Sequence, residues 1–191
     1  MHKGRLEAFS DGVIAIIITI MVLEMKVPHG ADLDTLKGIW PVFFSYVLSF
    51  INVGIYWNNH HHLFQAVKQV NGPVLWANLH LLFWLSLLPF ATGWMGENHF
   101  GTWPVALYSF VLIMAGAAYY ILTRTLVAGH DTDSALVRAV GSDSKGKISL
   151  VIYGVGIGLT FVHPALGIAM NVLVAIMWMI PDRRIEKTLA I

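Results

Sequence analysis

The chain is 191 residues long, 57% hydrophobic and 12% charged, with a mean hydropathy of +0.67; a soluble domain carries roughly 25% charged residues, so this composition excludes an ordinary soluble protein and points to a bilayer. It has no cysteine, which excludes a disulfide framework, a thiolate metal site and a cysteine nucleophile. A net charge of +1, with no long acidic or basic run, offers nothing to a nucleic-acid partner.

The first apolar run, Arg5 to Pro28, has a basic front and ends in Leu23-Glu24-Met25-Lys26 with no small-x-small cleavage site, so it reads as a retained membrane span over about 6–27 rather than a leader. A span needs about 20 mostly apolar residues. The second is expected at about 38–59. A third follows at about 74–95, after the breaker Asn71-Gly72-Pro73, and a fourth at about 103–124. The last apolar run, 148–180, is long for one span and short for two, and His163-Pro164 interrupts it. Charge favours two spans, at about 144–163 and 164–181. With six spans and a cytoplasmic N-terminus, ten of the twelve Lys and Arg residues lie inside, and only Lys26 and Lys37 lie outside. Five spans would move Arg183, Arg184 and Lys187 outside. Trp40, Trp57, Trp76, Trp94, Trp103 and Trp178 fall near expected span ends, where interfacial aromatics sit. The expected fold is all-α: one polytopic unit over 1–191, in the plasma (inner) membrane, with both termini cytoplasmic.

Within the first span, Ile16, Thr19, Ile20 and Leu23 follow an i, i+3, i+4, i+7 pattern and share one helix face. Such a stripe reads as a packing face, with Thr19 bonded back to the Ala15 or Ile16 carbonyl. It also reads as the wall of a narrow hydrophobic pore carrying one ring of hydroxyls, which requires several copies, because one helix encloses nothing. Asp11 has two readings as well. It caps the helix toward inner water, or it is anchored by polar partners at the same level, for which Arg5, Trp57, His60, His61 and Asn78 are the candidates.

Arg5-x-x-x-Phe9-Ser10-Asp11 resembles the signature of the endosomal and lysosomal transmembrane potassium channels and their bacterial homologues. The Glu24-x-Lys26-x-Pro28 end of the span, Trp57-x-x-His60-His61-x-x-Phe64, and the stretch Asn78 to Phe90 resemble the same family. The likeness covers the first 95 residues well and the rest only by helix count. It implies a six-helix subunit and, among bacterial members, a homotetramer around four first helices that conducts monovalent cations with a preference for potassium. Neither the family nor this chain has a Thr-Val-Gly-Tyr-Gly filter. The resemblance places the apolar constriction at Ile16, a polar layer at Thr19 and further apolar rings at Ile20 and Leu23. It makes Phe9, Ser10 and Asp11 a scaffold rather than ion ligands. It implies no cofactor, with potassium as the permeant species.

Other patterns weigh less. Three adjacent histidines, His60 to His62, point 100° apart on a helix and cannot form one metal face; a structural or pH-sensitive role suits them better. His80 reads as a packing histidine in an apolar helix, and Gly154-x-x-x-Gly158 as a close helix contact. Asp131, Asp133 and Asp143 read as solvated loop residues. A membrane enzyme would need a converging catalytic set, which is not legible. A secondary transporter would need broken spans repeated in two halves and a midplane site. Proton conduction through the same pore stays open as a variant of the channel.

Overall fold

The computed structural model describes residues 3–67, 69–129, 137 and 144–179. Lys68, Asp131, Asp133, Arg138, Asp143, the end of the sixth expected span and Arg183, Arg184 and Lys187 lie outside the described residues. The elements are helical throughout. Helix α1 (Gly4–Leu23) is followed by a short α2 (Leu33–Gly38), whose first turn is capped by Asp32 accepting from the Thr35 backbone N–H at 2.8 Å. Helix α3 (Trp40–Gln65) runs six residues past its expected end and carries His60 to His62 within its last turns. Asn71 caps α4 (Gly72–Ser86), accepting from Val74 N–H at 3.1 Å. After it come α5 (Leu88–Glu97), α6 (Thr102–Ala128), α7 (Ser144–Thr160) and α8 (Pro164–Met179).

The expected third span is broken. Pro89 has no N–H to give the Leu85 carbonyl and its ring crowds that carbonyl, so the helix turns at Leu87 and restarts as α5. Between α5 and α6, His99 and Phe100 adopt φ of 49° and 58°. Phe100 stacks edge-on against Phe44, with centroids 5.8 Å apart, and its N–H closes on the Met95 carbonyl.

Four helical stretches among the described residues are long and apolar enough to cross a membrane: Gly4–Leu23, Trp40–Gln65, Gly72–Glu97 and Thr102–Ala128. Helices α7 and α8 rise about 25 Å each at about 1.5 Å per residue. The chain is an all-α, multi-pass membrane protein. Helix α6 is the hub, packing against α4, α5, α7 and α8, with Tyr108, Leu112, Ala115 and Leu122 fully buried. Helix α1 packs against α3, α4 and α5.

Small residues set the closest crossings, though not where the sequence spacing put them. Gly158 has open space around it, and a Cβ on Gly154 would make ordinary contact with Ile113. The tight contacts of α7 with α8 are at Gly167, where a Cβ would collide with Thr160 Oγ1, and at Gly156, where it would come within 2.9 Å of the Met170 Cβ. Gly96 plays the same part where α5 crosses α3, 2.7 Å from the Val42 Cα.

Candidate functional site

Helix α1 has two unlike faces. Leu6, Ser10, Ile14, Ile17 and Met21 recur every three or four residues and are buried against α3, α4 and α5. Roughly 140° further round, at 100° per residue, lies the stripe of Ile16, Thr19, Ile20 and Leu23. The described residues leave most of it open: Ile16 is 57% exposed, Ile20 39% and Leu23 79%, against 3% for the neighbouring Ile17. The Thr19 hydroxyl donates to the Ala15 and Ile16 carbonyls at 3.1 and 3.0 Å. The back-bond of the packing reading is therefore made, yet Thr19 stays exposed. With its proton turned onto the helix, the oxygen's lone pairs point away from it, able to accept but not to donate.

The buried face is locked by a directional polar chain. Ser10 Oγ donates to the Leu6 carbonyl at 2.8 Å, Asn78 Nδ2 donates to Ser10 Oγ at 2.9 Å, and His60 Nε2 lies 2.8 Å from Asn78 Oδ1. Since Asn78 offers an oxygen there, His60 carries its proton on Nε2 and donates. All three side chains are buried, and together they fasten α1 to α4 and α3. Beside this chain, Trp57 Nε1 donates to Asp11 Oδ1 at 3.0 Å, and His61 stacks on Trp57 with centroids 5.9 Å apart.

The capping reading of Asp11 fails. Helix α1 starts at Gly4 with no side-chain cap, which puts Asp11 in its third turn, beyond the reach of the terminal dipole. Arg5 and Phe9 do not join Ser10 and Asp11 within the subunit. At 100° per residue they fall on the Ile16 side, where Phe9 is 55% exposed and Arg5 makes no hydrogen bond or ion pair among the described residues. His80 accepts from Trp84 Nε1 at 3.0 Å, a local contact within α4. No cluster of metal-binding side chains occurs among the described residues.

One feature of α3 escaped the sequence reading. Ser45, Ser49, Asn52, Tyr56 and Asn59 follow an i, i+4, i+7, i+11, i+14 pattern, a polar stripe through an apolar helix. Ser49 Oγ lies 2.7 Å from Thr92 Oγ1 on α5 and donates to the Tyr108 hydroxyl on α6 at 3.0 Å. Asn52 Nδ2 reaches the same hydroxyl at 3.4 Å.

Helix α1 thus has a bare front and a back bolted to the bundle. The endosomal/lysosomal potassium channel TMEM175 family matches residues 5–89. A potassium channel of Chryseobacterium sp. (strain P1-3) is 57% identical over 189 residues, covering 99% of this chain and 98% of that one. The chain belongs to the TMEM175 family. A lysosomal potassium-selective channel TMEM175 homolog from Chamaesiphon minutus, known from a crystal structure, superposes with a TM-score of 0.79 at 27% identity, covering 93% of this chain and 96% of the other. The endosomal/lysosomal proton channel TMEM175 of Gallus gallus is 34% identical over 103 residues, 48% of this chain and 21% of the bird protein. TMEM175 proteins are ion channels, not enzymes.

Proposed function

We propose that this chain forms a potassium-preferring cation channel: a homotetramer of six-span subunits in the plasma membrane, both termini cytoplasmic, with four α1 helices around the axis. The carrying observation is the bare stripe of Ile16, Thr19, Ile20 and Leu23 on a helix whose other face is buried. A single α1 encloses nothing, so copies supply the other walls. Ile16 forms the narrowest apolar ring, which empties of water and blocks ions when closed. Thr19, one turn or about 4.5 Å further along, presents a ring of hydroxyl oxygens to a partly dehydrated cation. Ile20 and Leu23 add apolar rings. Arg5 and Phe9 lie on the same side of the helix toward its inner end, while Ser10 and Asp11 hold it in place. The potassium channel named among the relatives supports the permeant ion.

The chain's lack of cysteine makes the axis directly testable. Ile16→Cys is expected to crosslink between subunits under mild oxidation, and Trp76→Cys, on α4, is not. Crosslinking with that order reversed removes α1 from the axis. Potassium-gradient flux into liposomes tests conduction itself. The vertebrate relatives named as proton channels favour a second reading, proton passage along the same axis. A pH-sensitive dye inside the same liposomes, with the membrane potential clamped, separates the two.

A further inference from the structure

A narrow crevice, about 520 Å3 only when the open space at its mouth is counted, lies between α3, α6, α7 and α8, on the side of the bundle away from α1. Its walls are aromatic: Tyr56, Tyr119, Tyr120, Tyr153 and Trp178. Trp178 is fixed by donating from Nε1 to Ser149 Oγ at 2.8 Å. Gly116 leaves the space between the walls clear, since a Cβ there would come within 3.1 Å of Leu150 Cδ2 and 3.6 Å of the Tyr56 hydroxyl.

Two polar groups on this lining are spare. Asn52 and Tyr153 are each only 3% exposed. Asn52 spends its Nδ2 on the Leu48 carbonyl and Tyr108, but its Oδ1 accepts nothing among the described residues. The Tyr153 hydroxyl likewise has no hydrogen-bond partner among them. Neither atom is fully sealed, so a molecule entering the crevice meets an acceptor and a donor that the described residues leave unpaired. Mostly apolar walls with a few polar groups are the ordinary make-up of a small-ligand site.

We propose that this crevice is an off-axis binding site for a small, uncharged, planar amphiphile: an aromatic ring bearing one carboxamide-like group. The ring stacks on the tyrosine and tryptophan faces. The group's N–H donates to Asn52 Oδ1, and its oxygen accepts from Tyr153. Among the described residues no acidic or basic side chain lines the crevice to neutralise a charged ligand, and the Lys145 ammonium, 4.8 Å over the Trp178 ring, repels a cation.

Occupancy reaches the pore helix. Asn52 contacts Tyr108, Tyr108 contacts Ser49, Ser49 contacts Thr92, and Thr92 Oγ1 lies 3.8 Å from Met21 Sδ on the buried face of α1. A ligand that pulls on Asn52 shifts this chain of groups and, through Met21, the back of α1 beside Ile20. This second half rests on the channel reading; the binding half does not.

Benzamide is the probe and toluene its apolar counterpart, titrated calorimetrically against the full-length protein in lipid nanodiscs, with empty nanodiscs as the blank. Benzamide is expected to bind saturably, one per subunit, with toluene at least tenfold weaker. Tyr153→Phe, a mild change, is expected to weaken benzamide threefold to tenfold, and the crevice-filling Gly116→Leu to abolish binding. Saturating benzamide is expected to change liposomal potassium flux at least twofold. In Ser49→Ala it should still bind, with the flux no longer responding. Uptake no greater than that of empty nanodiscs, equal binding of toluene, or indifference to Tyr153→Phe overturns the site. A wild-type flux indifferent to saturating benzamide overturns the coupling. Intact benzamide binding in a protein that passes no potassium would strike the channel reading and leave the site standing.

Discussion

Ile16 and Ile17 are identical side chains one residue apart on the same helix, and they do opposite jobs. Ile17 is packed among α3, α4 and α5, while more than half of Ile16 is left open by its own subunit. In a soluble protein the second would be an oddity. In the proposed channel, the difference separates what holds one subunit together from what only several subunits use. Hydropathy is blind to it, since both residues score the same.

The sharpest way to break the comparison is one substitution made twice. Ile17→Asn buries an amide in an apolar contact and removes a packed side chain. It should cost about 3–5 kcal/mol, read as a lost or sharply lowered thermal transition. Ile16→Asn should leave stability within about 1 kcal/mol and raise liposomal potassium flux severalfold, because a polar ring no longer stays dry. Equal destabilisation by both would show that Ile16 is a packing residue. Next in size is Thr19→Val, which keeps shape and removes the outward oxygen. The potassium-to-sodium permeability ratio from reversal potentials should fall severalfold with the melting temperature unchanged. Smaller still is Trp57→Phe, which removes the hydrogen bond to Asp11. A loss of about 1 kcal/mol in the protein's stability, with the permeability ratio intact, would mark Asp11 as anchor; a changed ratio would move it into the permeation path.

The smallest effect is just beyond the C-terminal end of α1. Lys26 pairs with Glu97 at 3.0 Å, and that bond holds the fully exposed ammonium above its ordinary pKa. A raised lysine pKa contributes stability below the ordinary value of 10.5 and loses it as pH rises through the raised one. Lys26→Met should therefore lower the melting temperature at pH 7 only slightly, since the pair is exposed, and any difference from the wild type should vanish as pH rises above 10.5.

Much of this was legible in the residues because a bilayer leaves few options. Apolar runs of the right length must be helices, since no water is there to satisfy the backbone. The break at Leu87 was in view as Leu-Leu-Pro-Phe, but membrane helices tolerate proline, so the sequence does not say whether the helix bends or stops. Trp57, His60 and Asn78 could be named as partners of the Ser10-Asp11 pair by their level in the membrane. Which partner bonds which group depends on how α3 and α4 sit around α1, and that is set by distant packing. The position of Arg5 and Phe9 was a matter of arithmetic: 5, 9, 16 and 20 fall within one narrow arc at 100° a step. The motif's contiguity hid that Phe9 and Ser10, 100° apart, fall on different faces, one exposed and one buried. The polar stripe of α3 was equally countable and was masked by the aromatic and apolar residues around it.

That stripe bears on how the protein is made. With a mean hydropathy of 1.2, α3 has the weakest membrane signal of the four long spans. The groups that satisfy it arrive late, Thr92 43 residues and Tyr108 59 residues after Ser49. Ser45, Asn52 and Asn59 bond back onto carbonyls of α3 itself, but Ser49 finds both its partners only when α5 and α6 have been made, so the full satisfaction of α3 is a property of the assembled bundle rather than of the span alone.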